Sequence, residues 1–177
     1  MKRTSLVVRI LVIGCLMVTS ALISSVVIAE SDLEERAKFA IAALEAKTAK
    51  LGAPKIEGTE PTGDVDRPAL YFGSTKINNS NELVDAVVKE HGGTATLFVW
   101  VSTSPSGLPR FVAVSTNQKK NDGSRNIGFS LDPAQSPRSL NEGNPVHGFY
   151  GHSYVAHEPI KDGSGKVIGV YSVEFPN

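Results

Sequence analysis

Three histidines stand at equal intervals, His147, His152 and His157, and Glu158 directly follows the last of them. Imidazoles so placed suggest metal ligation or general-base catalysis. Alternate residues of a strand face opposite ways, so a five-residue step along one straight strand separates neighbours; only a hairpin could return two of them to a common point. No metal site is therefore expected. A hydrolase built from His152 or His157 with Glu158 stays open as the alternative reading, and His157 is otherwise a residue at the edge of a ligand pocket. Arg125 offers a different chemistry, because a guanidinium clasps a carboxylate in two parallel hydrogen bonds; a surface position at a strand start fits it equally well. Tyr150 and Tyr154 each join a hydrogen-bonding hydroxyl to a ring that can wall a pocket or pack in a core. Trp100 and Tyr71 read more as core than as pocket wall.

The chain has no nucleophile elbow, phosphate loop or zinc-protease helix. Its single cysteine, Cys15, falls in an apolar leader. The expectation is a binding module that is no enzyme and carries no cofactor.

These side chains need a scaffold. Ser31 with Glu34 forms a capping box, and Leu33, Ala37, Ala40, Leu44 and Leu51 repeat at threes and fours, with Thr48 as the polar member, so a helix is expected within 30–54. Its stripe can pack on its own domain or form a homodimer. Residues 53–68, rich in Gly, Pro and acids, read as a loop before a strand at 69–72. A short helix over 81–91 is capped by Ser80 and closed by Gly92-Gly93. Strands then dominate: 94–101, apolar on both faces, 110–116, 125–130, 146–151, 153–160 and 167–175, with an irregular or briefly helical stretch at 132–143. Helices followed by antiparallel strands indicate an α+β domain.

Three segments carry a family resemblance: Phe111 to Asn117, Asn121 to Gly128, and Glu158-Pro159-Ile160-Lys161-Asp162 with Gly165 to Tyr171. In order and spacing they resemble the single Cache domains, of the Cache 3/Cache 2 fusion type, in the extracytoplasmic sensor region of methyl-accepting chemotaxis proteins, over residues 55–177. The resemblance implies a PAS-like fold with a long N-terminal helix, a central antiparallel sheet of five or six strands, and a pocket on one sheet face for a small ligand. It places Arg125 at a family position. The chain departs from the family where Ala113 replaces an Arg, where Phe129 replaces a Thr and where His157 stands in a segment that usually carries a Tyr; near Ala156 it is one residue short. Arg110 lies close to the replaced Arg, but three residues away it points to the opposite strand face. The candidate ligand-binding residues are thus Arg125, Tyr150, Tyr154, His157, Trp100 and Arg110, and the ligand expected is a small polar metabolite such as a carboxylate.

Charge and leader set the compartment and partners. The 177 residues hold 18 Lys+Arg and 18 Asp+Glu. Lys2, Arg3 and Arg9 belong to the leader, leaving 15 basic against 18 acidic groups from residue 30 onward, which argues against nucleic acid. A basic start, twenty uncharged residues at 10–29 and the Val27-Ile28-Ala29 junction read as a signal peptide cleaved before Glu30. An uncleaved membrane anchor is the rival, since twenty apolar residues are long enough to cross a bilayer. Val12-Ile13-Gly14-Cys15 resembles a lipidation box, but the five apolar residues before Cys15 are fewer than a signal core needs. Either way the domain is expected to be periplasmic or otherwise extracytoplasmic. With the sequence ending just after the last strand, a solitary exported domain is expected, which presents or sequesters its ligand or docks on a membrane receptor or kinase through the helical stripe or a sheet edge. A structural envelope protein, without pocket or ligand, is the remaining class.

Overall fold

The computed structural model describes residues 32–102, 110–135 and 138–177. The leader with its cleavage junction and Cys15, the Ser31 cap and residues 103–109 lie outside the described residues. The chain divides into two compact units, 1–35 and 36–177; residues 32–35 of the first are helical. Among the described residues no helix is long and apolar enough to cross a membrane.

In the larger unit, strands β4 (Thr94–Val101), β5 (Arg110–Thr116), β6 (Val146–Tyr150), β7 (Ser153–Lys161) and β8 (Val167–Pro176) form an antiparallel sheet in the order β5-β4-β8-β7-β6. β4 and β8 hold the centre, which is why both are apolar on alternating faces: each is covered on two sides. A second sheet, β1 (Pro54–Thr62), β2 (Val65–Phe72) and β3 (Thr75–Lys76), occupies much of the stretch expected to be a loop. β1 forms the edge of that sheet and is mostly exposed, so charged and proline residues are tolerated there without an apolar alternation to announce the strand.

Helix α1, helical from 32 to 49, continues the chain into β1. Ala37, Ala40, Ile41, Leu44 and Thr48 are buried, so this stripe is consumed within the protein's own fold. Ala37 and Leu44, expected as part of a docking or dimer stripe, are thus covered by the chain itself, and the large apolar side chain that α1 leaves exposed is Phe39. One sheet face receives α1. Arg36 stacks its guanidinium 4.8 Å above the Phe175 ring, and the Thr48 hydroxyl meets the Tyr171 hydroxyl at 2.8 Å. Burial first of all pushes the Tyr171 phenol up to about 12. Thr48→Val should cost about 1–3 kcal/mol in a urea titration, because it leaves that buried hydroxyl unpaired. A loss below about 0.5 kcal/mol would show that the contact does not pin α1.

The joint between α1 and the three-stranded sheet requires glycine. A Cβ on Gly73, at φ 58°, would stand 2.0 Å from the Leu51 carbonyl oxygen, and Gly52 packs against the same spot. Helix α2 (Glu82–His91) ends at Gly92, φ 77°. The cap differs from expectation: Asn81 rather than Ser80 precedes the helix, and its side chain accepts the Thr116 N–H at 3.0 Å instead of capping. The expected strand at 125–130 is likewise not continuous. Gly128 turns the backbone at φ 87°, and the segment bonds through its backbone to Ala113 of β5 and to Gln118. Helix α3 (Arg138–Asn141) is the brief helix expected within 132–143.

Candidate ligand-binding site

Cross-strand register sorts the large sheet into two faces. Leu97, Tyr171, Glu158, Ala156 and His147 share the face under α1. Phe98, Ala113, Val170 and His157 share the other, together with Thr96, Thr116 and Ser172. This second face is filled. Phe98, Phe111, Ala113, Leu131, Leu140 and Val170 form its buried core, and Phe129 meets Phe98 edge to face at 5.4 Å. Ala113 and Phe129, two of the positions where the sequence departs from the family pattern, thus both contribute to an apolar packing.

Beside that core runs a buried polar row, Thr116, Thr96, Ser172 and His157, one residue from each of four adjacent strands. The two threonine hydroxyls bond at 2.7 Å. His157 is 1 % exposed, and neither ring nitrogen has a partner among the described residues. Burial, with a smaller contribution from His147, lowers its pKa from 6.5 to about 4, so the ring is neutral at neutral pH.

The sequence-derived candidates do not converge. Arg125 grips Asp85 of α2 with both terminal nitrogens at 2.7 Å and donates to the Thr116 carbonyl at 3.1 Å. Both terminal nitrogens of the fork expected to clamp the ligand's carboxylate are engaged by Asp85, so Arg125 ties the loop after β5 to α2. Tyr154 and Arg110 lie on the α1 face, Tyr154 edge to face with the exposed Phe149 at 5.1 Å. Tyr150 ends β6, on the His157 face. The hydrolase grouping also separates. His152 is exposed in the turn between β6 and β7, His157 is buried on one face, and Glu158 on the other accepts from the His147 ring at 2.8 Å. Among the described residues no group of three metal-ligating side chains assembles.

Of the six candidates, Trp100 borders open space. Its ring packs edge to face on Phe111 at 4.9 Å and also lines a cleft of about 520 Å³. Lys55, Ile56 and Pro68 supply one wall of the cleft from the three-stranded sheet; Trp100, Val167 and Ile168 supply the other, with Asp162 and Lys166 at the turn between β7 and β8. Asp162 is held in that turn by the Ser164 hydroxyl at 2.6 Å and the Ser164 N–H at 2.9 Å. These bonds keep its carboxyl below the usual range. Asp162 is thereby committed to the turn, and the Lys166 ammonium makes no ion pair among the described residues. Lys55 reaches over the Tyr71 ring and pairs with Glu57. Apolar side chains beside two lysines, with the one carboxylate of the lining held in its turn, suit a small molecule that has an apolar body and an anionic group. Sequence reasoning missed Lys55 because 53–68 looked like a loop, and missed Lys166 because turn lysines are usually solvated; Asp162-Gly163-Ser164-Gly165 was the available signal for the turn itself.

Residues 75–177 match the family model described as single cache domain 3. That is more than half of the chain. No curated protein matches it.

Proposed function

The chain belongs to the single Cache domain 3 family, and we propose that it is an exported sensor module that binds a small organic carboxylate in the Trp100 cleft without transforming it. Cache domains are extracytoplasmic sensory domains that bind small molecules. The single observation that carries the ligand class is that Lys166, without an ion pair among the described residues, shares with Lys55 a cleft walled by Ile56, Trp100, Val101 and Val167, in which the one carboxylate, Asp162, is held by its own turn. Each ammonium can donate to one carboxylate oxygen, while the Trp100 ring and Ile56 shield the ligand's body from water. Walls drawn from two sheets also mean that a ligand held by both lysines would draw β1 toward β8. Export is supported by the basic start and uncharged stretch of the leader, with Glu30 as the proposed mature N-terminus.

A thermal-shift screen against small organic acids, amino acids and amines tests this reading, since a ligand that binds only the folded form raises the melting temperature by mass action. Organic acids should give the shifts. Lys166→Ala should then weaken binding about tenfold, while Arg125→Ala, which touches another part of the surface, leaves affinity unchanged. Full affinity in Lys166→Ala, or a loss confined to Arg125→Ala, would refute the cleft assignment.

A further inference from the structure

On the α1 side of the large sheet lies a separate groove of about 410 Å³. Glu45 and Ala49 of α1, Ala53 and Pro54 beyond it, and the rings of Phe72 and Tyr171 line it. Phe72 and Tyr171 stack with centroids 6.0 Å apart and form its floor. The Tyr171 hydroxyl already has Thr48 as partner, so the floor presents ring rather than an unmet polar group.

Glu45 is the sole charged side chain of that lining, and it makes no ion pair among the described residues. The residues three and four positions away on the helix, Ile41, Ala42, Thr48 and Ala49, include no base. Lys47, on a different side of the helix, is spent on Glu90 of α2 at 2.8 Å. Glu158, the cross-strand neighbour of Tyr171, adds a second negative field, and burial together with that field raises the Glu45 pKa. His147 contacts Glu158, not Glu45, at 2.8 Å.

We propose that this groove binds a small organic amine as its ammonium ion, with the cation on Glu45 and the apolar body laid along Ala49, Ala53 and Pro54 over the Phe72–Tyr171 floor. Charge complementarity selects the occupant: the groove offers apolar surface plus an uncompensated carboxylate, and an organic cation satisfies both at once, with the aromatic floor adding to its attraction. An anion would meet the Glu45 carboxylate there, with the field of Glu158 added to it. The site is independent of the Lys55–Lys166 cleft.

The test uses 2-phenylethylamine as the probe and 2-phenylethanol as its neutral counterpart, with the full-length protein in titration calorimetry. The amine should bind saturably and the alcohol should not. Glu45→Gln should weaken the amine about tenfold, and Ala49→Phe, which fills the groove from an exposed helix position and keeps the charge, should block it. Lys166→Ala should leave amine binding intact, which separates this site from the carboxylate cleft. Equal binding of amine and alcohol, unchanged affinity in Glu45→Gln, or no saturable amine binding would overturn the proposal.

Discussion

Phe98→Ala is expected to destabilise the protein by about 3–5 kcal/mol, enough to threaten the folded state of a domain whose total stability is about 5–15 kcal/mol. Phe98 sits on the central strand β4, is 1 % exposed, and touches Phe129 edge to face while packing with Phe111, Leu140 and Val170. Its removal takes away the transfer energy of the ring and leaves a cavity that surrounding strands cannot collapse into, because β4 is hydrogen-bonded on both sides to β5 and β8. Chemical denaturation would measure the loss. The variant also separates two views of this sheet face. If the face is a packed core, benzene should bind the resulting apolar cavity and restore part of the stability, as ligands do in dry engineered cavities. A cost near about 1 kcal/mol would mean that Phe98 lines an open pocket instead.

How much of this was legible in the sequence depended on whether an element's reason for existing was local. β4 and β5 are read at their observed limits, Thr94–Val101 and Arg110–Thr116, because continuous apolar composition bounded by turns has few other solutions. The β7–β8 hairpin follows from Asp162-Gly163-Ser164-Gly165, which carries its turn chemistry within four residues. β1 and the beginning of β2 were hidden. Pairs such as Thr59 with Pro68 and Glu60 with Arg67 are made by backbone complementarity at an exposed edge, and no side-chain periodicity reports that. The site suffered in the same way. Arg125 has the right fork for a carboxylate, but the carboxylate it holds is Asp85, forty positions earlier, and only folding brings the two together. The cleft draws Lys55 from β1 and Lys166 from the turn before β8, a distance in sequence that no motif spans.

His157 carries the second large effect, and its sign follows from the direction of its pKa shift. In the folded protein the ring titrates near 4, and in the unfolded chain near its ordinary 6.5. Above that ordinary value both states hold a neutral ring and His157 adds no pH dependence. Between the two values the unfolded chain takes up a proton that the folded protein refuses, so stability falls as pH falls. Two to three pKa units correspond to about 3 kcal/mol lost between pH 7 and pH 4. Below the folded value the native ring protonates too and the decline from this group ends. Other groups act at the acid end of this window and below it: Glu45, raised by burial and by Glu158, has the opposite sign, while Glu57 and Glu90, lowered by Lys55 and Lys47, add to the loss, and Asp122 and Asp162, lowered by their serine hydrogen bonds, add to it chiefly at still lower pH. All of them remain in His157→Leu, so the difference between the two proteins isolates the histidine. Urea titrations from pH 7 to pH 4 should show a markedly flatter profile for His157→Leu. The variant should be at least as stable at pH 7, because two buried nitrogens without protein partners are removed from an apolar setting. Parallel profiles would mean that His157 is solvated or paired in solution, and that the polar row it shares with Ser172 and Thr96 is open to water.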